Sequence, residues 1–291
     1  IHAESDGLPG VIVDRFGDTL VIQPNAAWAD TLLAPLVAAL KSVTGATTIV
    51  MNGSGRARTL EGLDEKLEII EGAVDGVIPV SMNGATYMAD LMGGQKTGLF
   101  FDQRDNHAFA QNLVKGKRVL DVFSHVGGFG LAALAAGADS VVCVDSSAPA
   151  LELAAQGAAA MGVSDKFSTR KGDAFDTMAA LLAEGEKFDV VICDPPAFAP
   201  SKPALEKGMR AYERVAKMAA ALVNDGGYLG LCSCSHAADL ERFRNSCNRG
   251  IGRATRSAQL IHTGFAGADH PLMPQLAESG YLKGLFYRMM S

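Results

Sequence analysis

Two cysteines stand two residues apart in the stretch LCSCSH, residues 231–236. That spacing is open to a disulfide, a metal site, a redox pair, a packed core pair or a catalytic thiol. Neighbours on one face of a strand lie about 6.6 Å apart, at about 3.3 Å of rise per residue, which is a poor disulfide geometry. Reducing compartments disfavour that bond as well. Zinc would need two further ligands, and Cys143, Cys193 and Cys247 lack metal-type spacing, so no metal is expected. No C-x-x-C pair is present. Core packing and catalysis remain, with Cys143 and Cys193 read as inert core inside apolar strands.

The second stretch that could do chemistry is CDPPAF, residues 193–198. A residue before proline is driven into extended geometry, so Asp194 is held out at a strand end. Pro195 and Pro196 donate no amide hydrogen, which leaves an acceptor-rich rim, and Phe198 offers a face to a flat base. Such a rim favours a base that carries an amino group; a rigid turn over a buried Phe is the plainer alternative. Upstream, Gly127 and Gly128 in LDVFSHVGGFG let the backbone turn tightly towards a ligand and leave free amides at a helix start. Asp145 follows Asp121 at close to the roughly 20-residue interval at which an acid takes ribose hydroxyls. Asp173, in KGDAF, either accepts from an adenine amino group or caps a helix. No G-x-G-x-x-G is present, which disfavours a nicotinamide dehydrogenase.

The elements that must position these groups follow from length and pattern. A chain of 291 residues is expected to hold about two domains. With 48% hydrophobic and 20% charged residues it has the balance of a folded protein. No apolar run approaches the roughly 20 residues of a membrane helix, and IHAESDG has no signal-like core, so a cytoplasmic protein is expected. A net charge of −6 argues against nonspecific coating of nucleic acid. One local stretch is basic: Arg242, Arg244, Arg249, Arg253 and Arg256 stand near the single acid Glu241, as a solvated helix face or an RNA-facing one.

Residues 8–23 alternate around a Gly-Asp turn and predict a hairpin. ADTLLAPLVAALKSV carries helical spacing, with Pro35 as a kink or an early helix position. TTIVM, KLEII and GVIPVSMNGATYMADL follow as strands, the last with an Asn83-Gly84 turn. From Arg118 onward, apolar runs alternate with Ala-rich helical segments, the pattern of parallel βαβ units. The expected fold class is therefore α/β: a small mixed α/β domain over 1–95, a candidate substrate- or RNA-facing unit, then a Rossmann-like sheet over 96–291. Such sheets bind ligands at the carboxyl ends of their strands.

DVFSHVGGFG, VVCVDSS, GDAF and DPPAF resemble the successive motifs of class I S-adenosylmethionine-dependent methyltransferases. More narrowly, LPGVIVDRFGD, GQKTGLFFDQRDN, DPPAFAPSK, CSCSH, DHP and YLKG resemble the RlmI-like group of 23S ribosomal RNA 5-methylcytosine methyltransferases, from about Glu4 to the last residue. Members of that group usually carry an N-terminal RNA-binding PUA domain, and nothing here matches one. The resemblance implies a seven-stranded sheet with one antiparallel strand near its end, and methylation of carbon 5 of a cytosine in large-subunit ribosomal RNA. A homodimer is left open.

The same resemblance implies site residues. The cofactor would be held by Gln103, Arg104, Asp121, Phe123, Ser124, Gly127, Gly128, Phe129, Asp145, Ser146, Asp173, Ala174, Asp194 and Pro195, with Arg104 pairing its carboxylate. Pro196, Phe198, Lys202 and His270 would meet the substrate, although Lys202 also reads as a solvated loop lysine. Lys283 would shape the substrate side or lie on the surface. Carbon 5 of cytosine is too weak a nucleophile to act unaided, so a thiolate must first add at carbon 6. The family pattern puts that role on Cys234 and leaves Cys232 packed beneath it, with Asp194 stabilising the charge that develops on the ring. Two alternatives stand beside this reading: methylation of a base nitrogen, which needs no thiol, and a non-catalytic protein that binds the cofactor and RNA.

Overall fold

The computed structural model describes residues 1–93 and 98–290. Residues 94–97, which include part of GQKTG and the domain boundary drawn at residue 95, lie outside the described residues. The chain divides into two compact units: Ile1–Val80, Met88–Phe100 and Ala268–Ser279 form the first, and Ser81–Tyr87, Phe101–Gly267 and Gly280–Ser291 the second.

The first unit is built on β1 (Val11–Phe16), β2 (Thr19–Pro24), β3 (Thr48–Asn52) and β4 (Leu67–Glu71), in the order β1-β2-β3-β4. The alternation of residues 8–23 becomes the antiparallel β1/β2 hairpin, and β2 pairs β3 in parallel after a helical crossover. That crossover breaks at Leu32 into α1 (Ala27–Thr31) and α2 (Leu33–Thr44). Pro35 falls in the first turn of α2, where its missing N–H would have had no helical partner. Val37 and Leu40 of α2 pack on Leu20, Ile22, Ile49 and Met51. A short helix, α3 (Arg56–Leu60), precedes β4. β5 (Ile78–Met82) and β6 (Ala85–Ala89) form a two-stranded hairpin turned by Asn83 and Gly84, both at positive φ (52° and 73°).

The second unit follows the strand–helix alternation. After α4 (Arg104–Gln111) come β7 (Arg118–Val122), α5 (Gly128–Ala135), β8 (Ser140–Asp145), α6 (Ala148–Ala160), β9 (Phe167–Lys171), α7 (Ala174–Ala183) and β10 (Phe188–Cys193). The chain continues as α8 (Leu205–Leu222), β11 (Val223–Ser233), α9 (Leu240–Arg253), β12 (Ser257–Gly264) and β13 (Lys283–Met290). Among the described residues the sheet order is β12-β13-β11-β10-β7-β8-β9. β7 to β11 pair in parallel, while β13 runs antiparallel to both β11 and β12. The central strands β7, β10 and β11 are largely buried on both faces because helices cover both, whereas the edge strands β9 and β12 are more polar and more exposed. Leu120, Val122, Val191 and Leu229 pack with Tyr212, Val215 and Ala216 of α8 and with Phe243 and Ile251 of α9. Each such large apolar side chain contributes about 1.5–3 kcal/mol on burial. From β7 the chain winds outward through β8 and β9, then returns to the other flank with β10, so strand order reverses between β7 and β10. That switch point is where an open α/β sheet leaves a crevice for ligands.

No described helix is long and apolar enough to cross a membrane.

Candidate functional site

The loop after β7 is held in an uncommon shape. Phe123, His125 and Gly127 all take positive φ (63°, 50° and 82°), a region that only glycine enters without steric cost. Backbone bonds from Ser124 N to the Val144 carbonyl (3.0 Å) and from Gly127 N to the Ser124 carbonyl (2.8 Å) offset that strain. Asp145, at the end of β8, completes the clamp: Oδ2 accepts from His125 N at 2.9 Å and Oδ1 from Ser147 N at 2.8 Å. Behind the loop the buried Tyr87 hydroxyl donates to the Gly128 carbonyl at 2.8 Å.

Asp121 lies beneath this loop, fully buried, with Oδ2 accepting from Gly130 N at 2.7 Å. Gly130 has to be glycine, because a Cβ there would come within 2.6 Å of Cys143 Sγ. Burial pushes the Asp121 carboxyl up to about 8, and the charges of Asp194 and Asp145 add to the rise. Ser124 and Phe129 are buried too, Phe129 with its ring edge-on to His107 at 4.4 Å. Ser146 is exposed. Asp173 caps α7, its Oδ1 accepting from Phe175 N and Asp176 N at 2.9 and 3.1 Å, and Ala174 is buried behind it.

Across the switch point, Asp194 leaves β10 half-buried, with Pro195 buried and Pro196 exposed. Its Oδ2 accepts from Gln103 Nε2 at 2.9 Å, while Gln103 Oε1 accepts from Asn106 Nδ2 at 2.6 Å. Gln103 is itself buried and also reaches the Cys232 thiol. Arg104 is half-buried, its guanidinium carbon 5.7 Å from the centre of the Phe101 ring. Phe198 stands in an aromatic group with Phe123 (6.1 Å), Phe175 (6.3 Å) and Tyr212 (5.0 Å). The sequence reading passed over Phe175, although it quoted the GDAF stretch that contains it.

Cys234 follows β11 and lies 4.0 Å, sulfur to oxygen, from the carbonyl of Pro195, which brings it to the Asp194 loop. It is half-buried, whereas Cys143, Cys193, Cys232 and Cys247 are all buried. Burial pushes those four thiols well above the ordinary value. Ser233 and Ser235, on either side of Cys234, are both tied to the Tyr212 hydroxyl at 2.8 and 2.7 Å, and Ser235 Oγ also accepts from Ala199 N at 3.0 Å. Tyr212 is the partner that sequence reasoning did not place here, while Lys283, expected on the substrate side or on the surface, is buried and donates to the Ser235 carbonyl at 2.8 Å. A hydroxyl at helical spacing in α8 was the available signal for Tyr212.

Lys202 is exposed in a short turn before α8. His270 belongs to the first unit, where its Nδ1 lies 3.0 Å from Asp269 Oδ1 and its ring centre 4.8 Å from that of His2. The basic stretch is largely neutralised: Arg242 pairs with Asp239, Arg249 and Arg253 with Glu213, and Arg256 with Asp225.

The donor set suits S-adenosylmethionine. Backbone amides open α5 beside a glycine turn, carboxylates end β8 and β10, and Asp121 Oδ1 is buried without a hydrogen-bond partner under the same loop. Gln103, Arg104, the 123–129 loop, Asp145 and Asp194 would hold that group.

The chain matches the family model described as S-adenosylmethionine-dependent methyltransferase over residues 35–288. It is 35% identical to ribosomal RNA large subunit methyltransferase I of Shigella boydii, over all of this chain and 74% of that protein. The Tolumonas auensis protein of the same name is 38% identical over 99% of this chain and 73% of its own length. A Streptococcus mutans structure classed as a candidate S-adenosylmethionine-dependent methyltransferase superposes with a TM-score of 0.84 at 20% identity, covering 99% of this chain and 73% of that one. The M. jannaschii tRNA m1G37 methyltransferase shares the fold at a TM-score of 0.67 and 14% identity, over 100% of this chain and 79% of its own.

Proposed function

The chain belongs to the S-adenosylmethionine-dependent methyltransferases, and from that premise we propose that it methylates carbon 5 of a cytosine in 23S-type ribosomal RNA through a covalent adduct on Cys234. The relatives named as ribosomal RNA large subunit methyltransferases support the substrate class. The observation that carries the chemistry is the meeting of the Cys234 thiol with the Pro195 carbonyl at 4.0 Å, which brings a partly accessible sulfur to the loop that follows Asp194 in the chain.

In this reading the Cys234 thiolate adds to carbon 6 of the ring. The sulfur–carbon bond forms, and the electron pair of the 5,6 double bond moves to make carbon 5 nucleophilic. Asp194, carrying a proton, donates to ring nitrogen 3 and accepts from the exocyclic amine, so that its proton meets the negative charge that builds up on the ring as sulfur adds. Gln103 fixes which way that carboxyl faces, and the aromatic group around Phe198 supports the flat ring. When bound, S-adenosylmethionine supplies the methyl group as an electrophile on a positively charged sulfur. Once carbon 5 carries the methyl group, a base takes the proton from that carbon, the electron pair left behind restores the double bond, and the Cys234 thiolate departs.

RNA carrying 5-fluorocytidine at the target tests this, because fluorine occupies the position of the proton that elimination must remove. The intact protein is expected to be trapped on that RNA, and Cys234→Ala to lose both trapping and turnover while still binding the cofactor. A base-nitrogen methyltransferase would form no adduct. Full methylation by Cys234→Ala protein would overturn the proposal.

A further inference from the structure

Lys283 is a charged residue where the sheet interior calls for an apolar one. It opens β13, is 4% exposed, and lies opposite Ser233 of β11 in the antiparallel register. An ammonium taken out of water is costly unless its donors are met. Here Nζ donates to the Ser235 carbonyl at 2.8 Å and to the Ala238 carbonyl at 2.6 Å. The lysine therefore touches both neighbours of Cys234, one by strand pairing and one by a hydrogen bond.

The charged groups that face this spot come from several elements. Burial lowers Lys283 to about 8, and the charges of Cys234 and Asp239, the cap of α9, act to hold it up. From α8 the Tyr212 hydroxyl also faces Cys234, and burial pushes it up to about 12, so the phenol stays neutral at working pH. On the other side the thiol meets an uncharged group, the Pro195 carbonyl at 4.0 Å.

We propose that Lys283 is the positioning residue for Cys234: it locks the 235–238 loop and keeps a buried positive charge beside the thiol that stabilises its thiolate. Below about pH 8 the ammonium keeps its proton, and when the thiol proton leaves to solvent the pair carries one charge of each sign. This inference rests on the reading of Cys234 as the nucleophile.

Alkylation of the full chain with iodoacetamide, followed by mass spectrometry as a function of pH, tests it without RNA. Cys234→Ala sets the background from the buried cysteines. In the intact protein the inflection of Cys234 alkylation is expected below the roughly 8.5 of a free cysteine. Lys283→Met, similar in length and uncharged, is expected to raise that inflection by about one unit or more and to slow alkylation at neutral pH about tenfold. An inflection that stays put in a folded Lys283→Met protein, with a normal melt and cofactor affinity, would overturn the role. An intact protein whose inflection lies at or above the free value would do the same, and that arm decides if the variant does not fold. Activity retained by Cys234→Ala would sink the nucleophile assignment instead, without altering the alkylation result.

Discussion

Gln103 and Asp194, 91 residues apart in the chain, meet through a single hydrogen bond of 2.9 Å. Because Asn106 donates to the Gln103 carbonyl oxygen at 2.6 Å, the amide nitrogen has to face Asp194. A hydrogen bond to a charged group contributes about 1.5–3 kcal/mol, so Gln103→Leu is expected to lower the single-turnover rate about 10- to 100-fold at saturating cofactor. A variant that keeps the full rate and loses only cofactor affinity would assign Gln103 to the methyl donor.

Asp145 ties the positive-φ loop, through His125 N, to the turn after β8, through Ser147 N. Asp145→Ala is expected to weaken S-adenosylmethionine at least about tenfold in calorimetry and to lower the melting temperature, as two part-buried amides lose their acceptor. Asp145→Asn keeps one acceptor oxygen and should lose less. Unchanged affinity in Asp145→Ala would remove this carboxylate from the cofactor site.

The buried Asp121 carboxyl sets a pH dependence. Its folded value, about 8, lies above the ordinary 3.8, so the folded state holds a proton that the unfolded chain has released. Stability from this group is complete below about 3.8 and is lost as pH rises towards about 8. His107, lowered by burial to about 3, has the opposite slope, but that slope ends near 6.5. Between pH 6.5 and 8 the melting temperature of the cofactor-free protein should therefore fall, and Asp121→Asn should flatten the fall. A variant whose profile is parallel to that of the unaltered protein would show that Asp121 does not titrate there.

Arg249 and Arg253 are taken up by Glu213, a largely buried acid. Their joint replacement by Gln should change the salt dependence of RNA binding by far less than the roughly 0.9 log units of slope per phosphate contact, while lowering the melting temperature. A slope change near that full value would make them phosphate contacts.

What the sequence made legible was local. The β1/β2 hairpin, the Asn83-Gly84 turn, the parallel strand–helix alternation and the Asp173 cap all depend on residues a few positions apart. The site was harder to read, because its partners meet only through sheet order. Lys283 reaches Ser235 across 48 residues, and only because β13 inserts beside β11. Nothing near Gln103 announces that its amide will face Asp194. The arginine stretch looked strongly basic for the same reason: Glu213 and Asp225, which neutralise it, come from α8 and β11.

The position of β13 between β11 and β12 bears on how the chain is made. A ribosome releases β12 before β13, yet β12 joins the sheet only through β13. Until residues 283–290 clear the exit tunnel, the nascent chain has an unpaired β12 and a free edge along β11. The carbonyls after Cys234 also lack the ammonium that will fix them. Pairing of β13 thus completes the loop after Cys234, and a nascent chain that has not yet released β13 cannot hold that loop in its final form.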